Sequence, residues 1–143
     1  MVLSAKLVEL IERNADQLTE RWLDAVRTDE CTPTYHTYDR ERLHGRAFSV
    51  YSQLGRWLAD DASQDEITRI YTALGVQRHR EGFKLSEVLH ALILTRRVLW
   101  TKVQIDGLLD TALDLNQALQ LRNQTIRFFD RAMVCTAQGY ESH

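Results

Sequence analysis

The fold of this chain turns on Arg78-His79-Arg80-Glu81-Gly82-Phe83-Lys84-Leu85-Ser86-Glu87-Val88-Leu89. Before Gly82, apolar residues fall at Ile67, Ile70, Tyr71 and Leu74, the three- and four-residue steps of one helical face. After it, Leu85, Leu89, Leu92 and Leu99 keep the same steps. Gly82 suits the left-handed position past a helix end, and Ser86 suits the cap of the next helix. The stretch predicts two consecutive helices joined by a short corner, Gly82 to Ser86.

The pattern extends outward from this corner. Ser63-Gln64-Asp65-Glu66 has the form of a capping box and opens the third helix, which Gly75 weakens by roughly 1 kcal/mol relative to alanine. Upstream, Leu43, Ala47, Tyr51, Leu54 and Leu58 predict a second helix over Asp39 to Asp60, with Phe48 and Trp57 on its flank. Leu7, Ile11, Ala15, Leu18, Trp22 and Val26 predict a first helix from Ser4, its cap, to Arg27. Between them Pro33 breaks the pattern, so Thr28 to Tyr38 reads as a loop. Downstream, the fourth helix covers Ser86 to Gln104, and Asp106-Gly107 reads as a turn or a kink. The last helix runs from Leu108 to Gln138. Its seam is Leu108, Ala112, Leu115, Leu119, Ile126, Phe129, Met133 and Tyr140, interrupted by Arg122 and Thr136. Five helices without a strand predict an all-α bundle or globin-like packing, with a long C-terminal helix.

Composition narrows the function classes. The 143 residues support a single domain spanning residues 1–143, and one proline with six glycines argues against both a long disordered linker and a small all-β fold. Eighteen basic residues against twenty acidic ones leave no basic excess for holding nucleic acid. No apolar run approaches a membrane span, and the charged start lacks a secretory segment. Cys31 and Cys135 lie far apart, which predicts free thiols in a reducing, cytoplasmic setting.

No catalytic motif stands out, so the chain reads as a non-enzyme. The acidic pairs Asp29-Glu30 and Asp60-Asp61 read as solvated chain ends. His36, His44, His79, His90 and His143 show no i, i+4 pairing, and no metal site is expected. Trp22, Trp57 and Trp100 fall on or beside apolar stripes, where they serve the core or line a cavity. Arg78 and Arg96 occupy slots where the helical period expects an apolar residue. A guanidinium there needs a carboxylate, carbonyls or an anionic ligand. Glu81, Glu87 or an acid of the first helix would serve as the ion-pair partner. The two arginines are expected near one another, with Trp100, as a candidate ligand site.

The segment from Arg78 to Leu89, followed by Leu94-Thr95-Arg96-Arg97-Val98-Leu99-Trp100, resembles the centre of the N-terminal domain of RsbR-type stressosome proteins. Ile11 and Trp22 on the first helix add to the match. The resemblance implies a globin-like, mostly haem-free helical domain that dimerises. It implies a sensory input role in stress signalling ahead of an output module, such as an anti-sigma-antagonist domain, a histidine kinase or a transcription regulator. No output module follows in the sequence given, which reads either as an excised input domain, passing its signal to a C-terminal output domain, or as a stand-alone relative; no resident cofactor is expected. The last helix would be the output lever and form the homodimer interface through its C-terminal half, at Leu119, Ile126, Phe129 and Met133. The alternative is a haem-dependent gas or redox sensor. Met1-Val2-Leu3-Ser4 resembles the opening of vertebrate myoglobins, and Leu89-His90-Ala91 reads as a proximal-histidine segment with His90 on the iron.

Overall fold

A computed structural model describes residues 5–58, 64–106 and 112–142. The expected caps at Ser4 and Ser63, the end of the second helix near Asp60, Gly107 and the start at Leu108 lie outside those residues. Among the described residues the fold is all-α: α1 (Ala5–Arg13), α2 (Ala15–Thr28), a 3-10 turn (Pro33–His36), α3 (Arg40–Ser52), α4 (Leu54–Trp57), α5 (Gln64–Arg80), α6 (Leu85–Asp106) and α7 (Ala112–Glu141). No described helix is long and apolar enough to cross a membrane.

Two expected helices are each divided. Asn14, at φ −107° and ψ 22°, separates α1 from α2, and its side-chain amide donates to the Leu10 carbonyl at 2.7 Å. Such local side-chain bonds compete with helical continuity. Gln53, at φ −122° and ψ 28°, separates α3 from α4. The new helix start leaves orphan amides, and Gly55 N–H finds an acceptor in Glu12 Oε2 at 2.9 Å. The expected loop around Pro33 contains the 3-10 turn, which Glu87 ties to α6 by accepting from Thr34 N at 2.7 Å and Thr34 Oγ1 at 2.8 Å.

The central corner forms as its sequence predicts, with one correction. Gly82 takes φ +84°, a conformation natural to glycine. Ser86 is not the cap: α6 begins at Leu85, and the Lys84 carbonyl accepts from both Glu87 N and Val88 N. Phe83 is fully buried, its ring 4.7 Å from Tyr35 and 4.9 Å from Tyr38, centroid to centroid.

α5 and the C-terminal half of α7 lie side by side in parallel, so close that their backbones touch. A Cβ on Gly75 would lie 2.0 Å from Thr136 O, and one on Gly139 would lie 2.0 Å from Thr72 O. Arg131 reaches Thr68 Oγ1 at 2.7 Å, and Tyr140 OH donates to Phe83 O at 2.6 Å. The end of α7 is thus fastened to the α5–α6 corner. Gly75, a weak helix residue by propensity, is explained by this approach.

The core draws on every helix, and on α6 and α7 it keeps only part of the expected stripes. α6 buries Val88, Ala91, Thr95 and Leu99. Trp22 Nε1 donates to Ala91 O at 3.0 Å and Tyr51 OH donates to Thr95 O at 2.8 Å, so small side chains there admit the two rings. α7 buries Leu121, Thr125, Phe128, Phe129 and Ala132, whereas Leu115 and Leu119 are 52% and 57% exposed. Phe129 is fully buried and packs on Phe128 at 4.9 Å. It therefore cannot present an interface, which corrects the sequence expectation. Met133 packs against the core from its edge, and Ile126 is half-buried.

Candidate functional site

A cavity of about 160 Å³ lies where α3, α5 and α6 meet behind Trp22 and Tyr35. Trp57, Tyr71, Val50, Val88 and Ala91 give it apolar walls, and half-buried Ile70, Leu74 and Leu92 stand with exposed Ser49 towards the surface. Its volume matches cavities of about 150 Å³ that admit a benzene-sized molecule.

The charged groups on this lining are Arg46 and Arg78. Arg78 is buried, as its position on the stripe demands, and Nη1 donates to Glu81 Oε1 at 3.0 Å. Glu81 is the partner, one of the acids the sequence offers. Arg46 Nη2 donates to Glu81 Oε2 at 2.9 Å and lies 3.4 Å from Tyr38 OH. Two guanidinium groups therefore share one carboxylate. Arg46 Nη1 is buried and has no hydrogen-bond partner among the described residues. A buried cationic donor is costly to leave unpaired, which suits this atom to an acceptor group.

The electrostatics fit that arrangement. Burial works to raise the Glu81 pKa, but hydrogen bonds from Gln77 and Tyr38 and the charges of Arg78 and Arg46 outweigh it and hold the carboxyl below its ordinary value. Burial, then Arg46, lowers the Arg78 pKa, against the pull of Glu81. Burial pushes the Tyr35 and Tyr71 hydroxyls well up, so both are neutral in the cavity wall. Glu87, which lies beyond Tyr35, has both oxygens engaged by Thr34.

The structure redistributes the expected site residues. Arg78 lines the cavity; Arg96 and Trp100 do not. Arg46, which sequence reasoning missed, takes the place expected for Arg96 as the second arginine beside Arg78. Its signal was faint, because Arg46 neighbours Ala47 on α3 and interrupts no apolar stripe. Trp100 Nε1 instead donates to Thr125 Oγ1 at 3.2 Å, joining α6 to α7. His90 is also outside the lining, with Nε2 3.4 Å from Asp29 Oδ2. No histidine is among the residues that line this cavity.

No curated protein and no solved structure matches the chain. A family model does, over residues 16–143, a span that takes in the corner, both cavity arginines and the paired helices α5 and α7. The chain belongs to the family described as the RsbT co-antagonist protein rsbRD N-terminal domain.

Proposed function

We propose that this chain is a non-catalytic sensory input module whose signal is a small molecule with an apolar body and a carboxylate. Membership of the RsbT co-antagonist N-terminal family supports a signalling role of the stressosome type. The observation that carries the ligand class is the buried, unpartnered Arg46 Nη1 beside an apolar cavity of single-ring size. A carboxylate oxygen satisfies that donor, while the aromatic walls take the rest of the molecule.

A route to the chain's C-terminal end is built into the corner. Arg46 and Arg78 share Glu81; one residue on is Gly82, then Phe83, whose carbonyl holds Tyr140. The ring of His79 meets that of Tyr140 edge-on at 4.9 Å. A ligand that takes up Arg46 reweights the Glu81 pairing and so bears on the last turn of α7, towards an output module beyond His143.

The module acts as a homodimer in this reading, through the first half of α7. Leu115 and Leu119 stand one turn apart, both mostly exposed, with Ile126 further along the same face. α7 is about 45 Å long, against about 26 Å for its partner α5, so its first half extends past that packing. A second copy related by a two-fold axis covers the face.

Thermal unfolding with benzoate and with its neutral analogue benzyl alcohol tests the ligand reading. Benzoate should raise Tm saturably and benzyl alcohol by less. Arg46→Met, which leaves the Arg78–Glu81 pair in place, should abolish the difference. No benzoate response, or an equal one in Arg46→Met, would refute it.

A further inference from the structure

We infer that the turn after α2 is a binding site for a thiophilic divalent cation of the zinc type, formed by Asp29, Cys31 and His90. One ligand atom from each of these residues lies within 4.8 Å of the other two. They supply an oxygen, a sulfur and an imidazole nitrogen, the set that zinc accepts and that magnesium or calcium does not. The site is distinct from the cavity and shares no residue with its lining.

The geometry is close to what the ion requires. Around a tetrahedral zinc with bonds of about 2.0–2.1 Å, neighbouring nitrogen and oxygen ligands stand about 3.3 Å apart. His90 Nε2 and Asp29 Oδ2 stand 3.4 Å apart. The thiol belongs to an exposed residue, so rotation about its Cα–Cβ bond is free to adjust the sulfur, which already lies within 4.8 Å of the other two ligand atoms. Binding takes the sulfur as thiolate, with its proton released to solvent. The exposed side leaves a fourth position for water or a further ligand.

The turn is also held in place. Asp29 Oδ1 accepts from Cys31 N at 2.8 Å, which fixes the two ligands on that strand of chain relative to one another. His36 Nε2 bonds the Asp29 carbonyl at 2.8 Å, and Thr32 Oγ1 bonds the Val26 carbonyl at 2.8 Å. His90 arrives from α6, sixty-one residues away from Asp29 in sequence. The i, i+4 pairing sought in the sequence could not reveal such a site. Its occupation would clamp the end of α2 to α6.

Titration with Co²⁺, which reports thiolate ligation by a charge-transfer band, is the test, with Zn²⁺ competition and calorimetry for stoichiometry. The expected result is one ion per chain and a band that Zn²⁺ displaces. The band should vanish in Cys31→Ser and persist in Cys135→Ser, whose thiol is buried elsewhere. His90→Gln should weaken binding by at least about tenfold, the scale on which even outer partners of a metal site act. Unchanged circular dichroism in each variant keeps the comparison valid, since all three ligand residues lie outside the fully buried core. Absence of the band in the parent chain, its persistence in Cys31→Ser, or equal affinity in His90→Gln would overturn the proposal.

Discussion

Replacing Gly75 by alanine sets two effects of opposite sign against each other. Alanine is the better helix former by about 1 kcal/mol. In this fold, however, the added Cβ would lie 2.0 Å from Thr136 O and 2.7 Å from Tyr140 N. Both are backbone atoms, so no side-chain rotation relieves the overlap, and α5 must draw away from α7 by about 1 Å. Overpacking costs about 1–3 kcal/mol. A clash on backbone belongs at the top of that range, which leaves a net loss of about 2 kcal/mol. For a domain of this size the loss lowers Tm by roughly 6–8 °C. Gly139→Ala, whose Cβ would lie 2.0 Å from Thr72 O, should behave alike. The double variant should cost less than the two together, because one separation of the helices accommodates both. Far-ultraviolet circular dichroism against temperature measures all three. A Gly75→Ala chain as stable as the parent, or more so, would refute the close α5–α7 contact.

Three other outcomes follow from the same contacts. Arg78→Met removes one of the two cations that share Glu81 and should cost about 2 kcal/mol in denaturant unfolding, the scale of a hydrogen bond between charged groups, whereas an exposed arginine would cost almost nothing. Glu81 has its folded pKa held below the ordinary 4.5, so its pairing stabilises fully above that value and is lost as pH falls through the folded value. The stability gap between parent and Glu81→Gln should thus be flat near neutrality and shrink on acidification; a gap that widens contradicts the assignment. In light scattering, Leu119→Glu should turn the proposed dimer into a folded monomer, while Phe129→Glu should unfold the chain; a folded Phe129→Glu dimer would place that ring outside the core.

Helices, corner and one cavity arginine were legible in the sequence because each rests on local chemistry. Gly82 needs a positive φ, and the steps Ile67, Tyr71 and Arg78 survive as the buried face of α5. The breaks were not legible. Asn14 and Gln53 are ordinary polar residues on a helix, and only their positions against Leu10, Glu12 and Gly55 make them boundaries. The faces of α6 and α7 are legible only in part, Leu99 and Phe129 being buried as their stripes predict and Leu115 and Leu119 not. Large leucines dominate a count of apolar positions, but the room that Trp22 and Tyr51 require selects Ala91 and Thr95 on α6. On α7 the close approach of α5 selects Thr136 and Gly139. Arg46 escaped notice because its role depends on Glu81, thirty-five residues away. Arg96 and Trp100 drew notice through their spacing alone, and spacing does not place a side chain in a cavity.

The central claim is that a carboxylate ligand enters the cavity lined by Arg46 and Arg78, and the three indoles test it directly. Trp22 and Trp57 line the cavity, while Trp100 is bonded to Thr125 outside it. Benzoate titrated into isotope-labelled protein should shift the indole N–H resonances of Trp22 and Trp57 saturably and leave Trp100 in place. In Arg46→Met the shifts should disappear at the same concentrations. Movement of Trp100 alone, or no saturable movement of Trp22 and Trp57, would contradict the account.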